Sequence, residues 1–280
     1  MRSILNSRLQ RNGPFPEGRG CIKYRSKNLF LMNSFLSVVI PAFNEIENFQ
    51  SGALDGVHTY MKGLQKPWEV LIVDDGSTDG SPDLIADFCK KHKGFRLVQN
   101  SHMGKSGTVA RGVAEAQGEY ILFTDFDQAT PISEWKKLLP YLEEGYSVVI
   151  GSREVAGSKR EKEPFHRHLM GKGFNFGVKL LAVSGISDTQ CGFKAFEGKA
   201  AKTLFSKLQV YKPREITSAF TGAFDVEVLF IARKMGLRIA EVPIIWHHVK
   251  TNRVNPLRDS VLMALDVVKI RLFDLAGKYS

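Results

Sequence analysis

The chain predicts an α/β fold built on a doubly wound, mostly parallel sheet, and three observations carry that prediction. Short apolar runs alternate with helix-length segments from residue 35 to residue 151. The runs are β-branched and aromatic with little charge, as strands buried on both faces require. Two of them end in acidic signatures, Asp74-Asp75-Gly76-Ser77 and Asp125-Phe126-Asp127, where open α/β sheets bind their ligands.

Taken in order, Phe35–Pro41 reads as the first strand, followed by one helix over Glu45–Leu64. Trp68–Val73, carrying Glu69-Val70-Leu71-Ile72-Val73 into the first acidic signature, is a strand, and Ser81–Lys91 a helix. Phe95–Asn100 is a strand, Gly104–Ala116 a helix, and Tyr120–Thr124 the strand that leads into the second signature. Ser133–Glu144 is a helix and Ser147–Gly151 the fifth strand. Strands separated by helices at this spacing make βαβ units. Beyond Gly151 the rhythm breaks into a more irregular half, with helices expected over Val226–Met235 and Asp259–Ala276 and a strand-like run at Val242–Trp246. The expected organisation is a basic, disordered extension over 1–33 and one domain over 34–280. In that domain 34–151 forms a ligand-holding half, and 152–280 a second half with the terminal helices.

Charge and cysteine content narrow the function. The net charge is +10, but residues 1–31 contribute +6 of it through seven Lys/Arg and one Glu, leaving +4 for the rest. The body is mildly basic and carries no RNA- or DNA-binding motif, so nucleic acid is not an expected partner. The first 31 residues, with Pro14, Pro16 and three glycines, lack apolar periodicity. An early start codon, with Met32 just before the first strand, is favoured over a targeting segment. Cys21, Cys89 and Cys191 are few, far apart and odd in number, which fits a reducing compartment rather than a disulfide framework or zinc site. Cys191 reads as a small buried residue. No run of about 18 uncharged apolar residues predicts a membrane-spanning helix.

Two carboxylates one residue apart at a strand end suit a hard divalent cation that also holds phosphates. The common nucleotide motifs are absent. Gly104-Lys105-Ser106 resembles the end of a P-loop, but the earlier glycine falls on Gln99; Gly171-x-Gly173 is followed by Phe176 where a dinucleotide fingerprint needs its third glycine. Asp75–Gly80 opens like a calcium loop, yet the twelfth position is Ala86. Turn and N-cap chemistry is the competing role for Asp74, Asp75 and Asp79.

In order and spacing, Val38-Val39-Ile40-Pro41-Ala42-Phe43-Asn44-Glu45, Val73–Gly80 and Asp125-Phe126-Asp127 resemble family 2 glycosyltransferases, which have the Rossmann-like GT-A fold. Gly151-Ser152-Arg153, Asp188-Thr189-Gln190-Cys191-Gly192-Phe193-Lys194 and Phe224-Asp225-Val226-Glu227 look like the branch that transfers hexoses to dolichyl or polyprenyl phosphate. The resemblance runs from about Phe35 to Gly277. It implies that Pro41, Ala42 and Glu45 line a uridine pocket, with Asp75 or Asp74 on the base imide and Lys105 beside the nucleotide. Asp125 would face the ribose or sugar, and Asp127 would hold Mg²⁺ or Mn²⁺ on the diphosphate of a UDP-hexose.

The acceptor decides the remaining chemistry. A sugar hydroxyl needs a carboxylate base within reach, whereas a lipid monophosphate is already anionic and needs cations. Arg153, at the end of the fifth strand, and Lys194 are the candidate cations; the resemblance implies that they contact the acceptor phosphate and the diphosphate, the competing role of Lys194 being a salt bridge to Asp188 or Glu227. Asp188 and Gln190 would shape the acceptor loop, with Asp188 the remaining carboxylate if a base is needed. Asp225 and Glu227 read equally as site residues or as acidic residues opening a helix. The expected enzyme is an inverting, metal-dependent hexosyltransferase, glucose from UDP-glucose to polyprenyl phosphate. Transfer to a sugar hydroxyl and non-catalytic nucleotide-sugar binding are the alternatives. The expected location is cytoplasmic, peripheral on the cytoplasmic membrane face. The basic stretch Ser158–Lys172 followed by apolar Phe174–Ile186 suits a membrane interface or a solvated helix. The stripe Val261, Leu265, Val268, Leu272 and Leu275 reads as core or partner face ahead of membrane. His247 and His248, adjacent on a strand, face opposite ways and make no paired metal site.

Overall fold

A computed structural model describes residues 34–161, 183–215, 222–249 and 256–279. Seven strands form one mixed, mostly parallel sheet. β1 (Ser34–Ala42), β2 (Trp68–Asp74), β3 (Phe95–Gln99), β4 (Gly118–Thr124), β5 (Val148–Ser152), β7 (Phe193–Glu197) and β8 (Ile239–Pro243) lie in the order β3-β2-β1-β4-β7-β5-β8. β6 (Lys159–Glu161) and β9 (Ile245–His247) pair as a separate parallel ribbon. The helices are α1 (Ile46–Gln50), α2 (Ala53–Lys62), α3 (Ser81–Lys91), α4 (Gly104–Glu115), α5 (Trp135–Glu143), α6 (Gly198–Ser206), α7 (Phe224–Lys234) and α8 (Pro256–Leu275).

Strand periodicity divides the core into two layers. Along β1, Val39 faces one layer with Val73, Val109, Phe123 and Phe224, while Leu36, Val38 and Ile40 face the other with Leu54, Ile72 and Trp135. Alternate side chains of a strand point to opposite faces, so a sheet covered on both sides needs apolar residues at nearly every position.

Register determines what meets at the carboxyl edge. Ala42 pairs with Asp74 and Val39 with Phe123, so the chains leaving β1, β2 and β4 emerge side by side. β7 runs antiparallel to both β4 and β5, with Thr124 opposite Phe193 and Ile150 opposite Lys194. The reversal brings the amino end of β7 to the edge where the parallel strands present their carboxyl ends.

Several expectations change. The helix expected over Glu45–Leu64 is two helices, because Gly52 adopts φ 83° between them, a conformation disfavoured for residues with a Cβ. The sequence reading places no strand at Lys194, which lies inside β7. The run at Val242–Trp246 is split between β8 and β9. The stripe expected to be core or partner face on the terminal helix is not core: Val261, Leu265, Val268, Leu272 and Leu275 are 44–82% exposed, while Val267 and Ile270 on the same helix are buried. The 1–33 extension, most of the basic stretch and residues 174–182 of its apolar continuation lie outside the described residues. No described helix is long and apolar enough to cross a membrane.

Candidate active site

On the β2 side of the crevice, carboxylates are used to shape the backbone. Asp74 accepts from the Gly76 and Ser77 amides and the Ser77 hydroxyl. Asp75, 3% exposed, accepts from the Met103 and Gly104 amides at 2.8 Å each and from Asn100 Nδ2 at 3.2 Å. His102 Nδ1 lies 2.9 Å from its second oxygen. Asp75 thereby caps the amino end of α4, where unpaired amides need an acceptor. Asp79 accepts from the Ile46 amide (3.0 Å) at the start of α1 and the Ser81 amide (2.9 Å) at the start of α3. Glu45 is buried with Asn48 Nδ2 on its carboxylate, and its own amide donates to Ser81 Oγ. Pro41 and Ala42 end β1 beside this cluster. An open cavity of about 590 Å³ follows, lined by residues that include Asp74, Ser77, Pro82, Gln99 and Asn100.

The centre of the crevice carries alternating charges. Lys105, on the first turn of α4, places Nζ 2.6 Å from Asp125 Oδ1 and 5.5 Å from the centroid of the Phe123 ring. Burial alone would lower its pKa, but Asp125, with Asp225 and Asp127 behind it, outweighs that and holds the ammonium above its ordinary value. The Asp125–Gln128 turn is closed by Gln128, at φ 50°, whose side-chain amide donates to the Asp125 carbonyl at 2.8 Å. Asp127 accepts from the Ala129 amide at 3.0 Å. Burial and then the Asp125 charge push its pKa up to about 6, against the pull of that amide and Lys105. A Cβ on Gly192 would sit 1.9 Å from Asp125 Oδ2, so any larger residue where the chain enters β7 would have to displace the Asp125 carboxylate.

The second half contributes ion pairs. Lys194 is 1% exposed and sits 2.6 Å from Asp225, which opens α7. Its expected partners, Asp188 and Glu227, are engaged elsewhere. Burial raises the Asp225 pKa against Lys194 and Lys105. Arg153, just past β5, grips Asp188 in a two-point pair, Nε to Oδ2 at 2.7 Å and Nη2 to Oδ1 at 2.9 Å, and adds its amide at 3.0 Å. Burial alone would raise Asp188, but the Arg153 charge and these bonds hold it at about 2. Arg153 also lies 5.5 Å from the Trp246 ring. Gln190 donates its amide to Asp188 at 3.3 Å, and its side-chain nitrogen is buried with no hydrogen-bond partner among the described residues.

Glu227 is structural. Fully buried, it accepts from the Gln209, Val210 and Tyr211 amides at 2.7–2.9 Å and from the Tyr279 hydroxyl at 2.6 Å. Cys191 is buried, and burial pushes its thiol up to about 11, far from a reactive thiolate. His247 pairs with Glu161, on the ribbon rather than at a metal site.

The crevice thus gathers Lys105, Asp125, Asp127, Arg153, Asp188, Gln190, Lys194 and Asp225 along one sheet edge. Residues unremarked in the sequence complete it: Asn100 and His102 hold Asp75, Glu241 holds the Ser187 and Asp188 amides at 2.8 Å each, and Tyr211 accepts from Ser106 through its carbonyl. No local motif marks them, because each acts across 25 or more residues of chain. Among the described residues no three His, Cys, Asp or Glu side chains converge as a metal cage. A magnesium-like ion is bound by one or two carboxylates together with substrate phosphates. Asp127, with one amide on its carboxylate, fits that role.

Residues 37–205 match the family model "Glycosyl transferase family 2". The chain is 33% identical over 258 residues to a dolichyl-phosphate beta-glucosyltransferase of Dictyostelium discoideum, covering 88% of this chain and 76% of that protein. Relatives with the same description from Saccharomyces cerevisiae (33% over 264 residues, 88% and 76% covered) and Homo sapiens (33% over 261 residues, 87% and 77% covered) match as well. Among solved structures, mannosyl-3-phosphoglycerate synthase from Rubrobacter xylanophilus aligns with a TM-score of 0.60 at 21% identity, covering 88% of this chain and 76% of that one. Glucosyl-3-phosphoglycerate synthase from Mycobacterium tuberculosis, in complex with Mn²⁺, UDP and glucosyl-3-phosphoglycerate, aligns at 0.53 and 20%, covering 87% and 80%. These two likenesses show the GT-A fold. Sequence similarity over 87–88% of the chain goes further than fold: the chain belongs to glycosyl transferase family 2 and is an enzyme like the dolichyl-phosphate beta-glucosyltransferases.

Proposed function

We propose that the enzyme transfers glucose from UDP-glucose to dolichyl or polyprenyl phosphate, with inversion at the anomeric carbon. The observation that carries the acceptor half is the state of Asp188. A hydroxyl acceptor needs a base whose pKa lies near the working pH, and Asp188, locked to Arg153 at about 2, is no such base. A phosphate monoester needs no deprotonation, and the cations at this edge, Arg153, Lys194 and Lys105, suit an anionic acceptor and a diphosphate leaving group.

The step is a direct displacement. A lipid-phosphate oxygen attacks the anomeric carbon from the face opposite the nucleotide; that C–O bond forms as the bond to the UDP oxygen breaks, and UDP departs with the electron pair. Asp127, with Asp125 beside it, would hold Mg²⁺ or Mn²⁺ on the diphosphate, and the ion would neutralise charge on the leaving group. Lys105 releases Asp125 to meet a phosphate oxygen or the sugar. Asp75 keeps α4 in place and presents its remaining lone-pair capacity to the base imide, with Pro41, Ala42 and Glu45 beside the uridine. Arg153, Asp188 and Gln190 orient the acceptor phosphate.

The test is transfer from radiolabelled UDP-glucose to a defined polyprenyl phosphate in the presence of Mg²⁺ or Mn²⁺. The expected product is acid-labile and chloroform-soluble; hexose found only on a soluble or carbohydrate acceptor would defeat the lipid assignment. Asp225 favours a second reading, transfer to a sugar hydroxyl, because its raised pKa suits a base better than Asp188. It would have to leave Lys194 to act, and Asp225→Asn abolishing transfer to a carbohydrate acceptor would support that reading.

A further inference from the structure

The terminal helix α8 is apolar on two opposite faces. Its inner face, with Val267 and Ile270 buried and Met263 partly buried, packs on the core. Its outer face carries Val261, Leu265, Val268, Leu272 and Leu275, all exposed. At 3.6 residues per turn these five lie within about 80° of arc and run about 21 Å along the axis. One face satisfies the protein, so the other is built for a second apolar environment.

The charges on the helix say which environment. Asp259, Asp266 and Asp274 lie on the inner half by helical position. Asp266 is held by the Tyr211 hydroxyl and Lys269, and Asp274 by Lys234 and Arg271. The outer half contains no acidic residue. Lys269 and exposed Arg258 border the stripe on one side and Arg271 on the other, Lys269 and Arg271 keeping about half of their side chains exposed. Cations flanking an apolar stripe match an anionic lipid interface, where apolar side chains enter the acyl boundary and basic heads meet phosphates. A second copy fits poorly, because two such stripes packed together would set cation against cation at the positions that decide helix pairing. With six charged residues in 20, the helix lies on a membrane and does not span one.

We infer that the outer face of α8 is a docking surface for an anionic membrane, lying flat in the interface with Leu265 and Leu272 among the inserted side chains. This inference stands on the helix itself and is independent of the acceptor assigned above.

Flotation of the full chain with vesicles of phosphatidylcholine, alone or with about 30% phosphatidylserine, tests it without nucleotide sugar or polyprenyl phosphate. Wild type should float with the anionic vesicles, and Leu265→Gln/Leu272→Gln should bind them at least tenfold more weakly, since each exposed leucine contributes roughly tenfold on insertion. Lys269→Glu/Arg271→Glu should lose the preference for anionic vesicles. Leu272→Trp should show blue-shifted emission quenched by brominated lipid. Thermal unfolding of the two leucine variants, and UDP binding of all the variants, should be unchanged, since these positions lie outside the crevice. Wild-type flotation by the Gln variant, with the emission of the Leu272→Trp variant left unquenched, overturns the inference. So does a wild-type dimer that the Gln variant converts to monomer, or protection of the stripe from exchange by this chain's own residues 174–186 in vesicle-free protein. Failure of glucosyl transfer to polyprenyl phosphate alongside intact vesicle binding would remove the proposed function and leave this docking surface standing.

Discussion

The two sides of the crevice satisfy their charges differently. On the side built by β2 and α4, Asp74, Asp75 and Asp79 are satisfied largely by backbone amides. On the side built by β5, β7 and α7, Arg153 and Lys194 are satisfied largely by carboxylates. An amide capped by a carboxylate belongs to the chain's own course and cannot be given up without moving a helix. An ion pair can exchange one partner for a phosphate of like charge. In the proposed function the first side is scaffold beside the nucleotide, and the second is machinery that a phosphate can enter. Asp127 and the Lys105–Asp125 pair stand at the seam.

The sharpest break of this comparison is Asp127→Ala. Removing the proposed metal carboxylate should lower glucosyl transfer by roughly 10²–10³-fold with folding intact; steady-state turnover near wild type would remove Asp127 from the seam. Next in size is Glu227→Gln, which turns an acceptor of three amides into a partial donor. It should cost about 3 kcal/mol and lower the melting temperature by roughly 6–12 °C in a domain of this size. An unchanged melt would show that amide-held carboxylates are not scaffold.

The third prediction uses pH. Asp188 has a folded pKa of about 2 against an ordinary 3.8. A depressed pKa contributes stability above the unfolded value that is lost as pH falls through the folded one. The pair should therefore contribute about 2 kcal/mol above pH 4, vanishing toward pH 2. Urea titrations of wild type and Asp188→Asn across that range should converge as pH falls, and a constant gap would refute the pairing. The smallest effect is Asp75→Asn, which should cost about 1 kcal/mol through the α4 cap. If Asp75 also reads the base imide, competition binding should show UDP losing affinity relative to CDP, and an unchanged ratio would leave it as scaffold alone.

Much of the fold was legible because burial imposes a period on the sequence. β1 to β5 and the helices between them match their apolar patterns to within a few residues. The exceptions are instructive. A single positive-φ glycine divided the first helix, and β7 was missed because a five-residue run next to Gly192 reads equally as a turn. In the site, the carboxylates of both acidic signatures and Arg153 were visible, since charge at strand ends is a local signal, while Lys105 and Lys194 were marked by the family resemblance. Their partners were not. Lys194 pairs with Asp225 across 31 residues, and Arg153 with Asp188 across 35, and nothing local distinguishes these carboxylates from Glu227.

The outer stripe of α8 makes the same point in reverse. Helical spacing alone predicted a buried face, and an apolar face at that spacing is ordinarily core. Only packing showed that Val267 and Ile270 had already taken the core side. By itself the sequence determined the alternation of strands and helices, the acidic strand ends and the family, because these depend on residue type at short range. The tertiary structure decided which carboxylates cap amides, which bind cations and which apolar face remains open, because each depends on the antiparallel insertion of β7 and on neighbours distant in the chain.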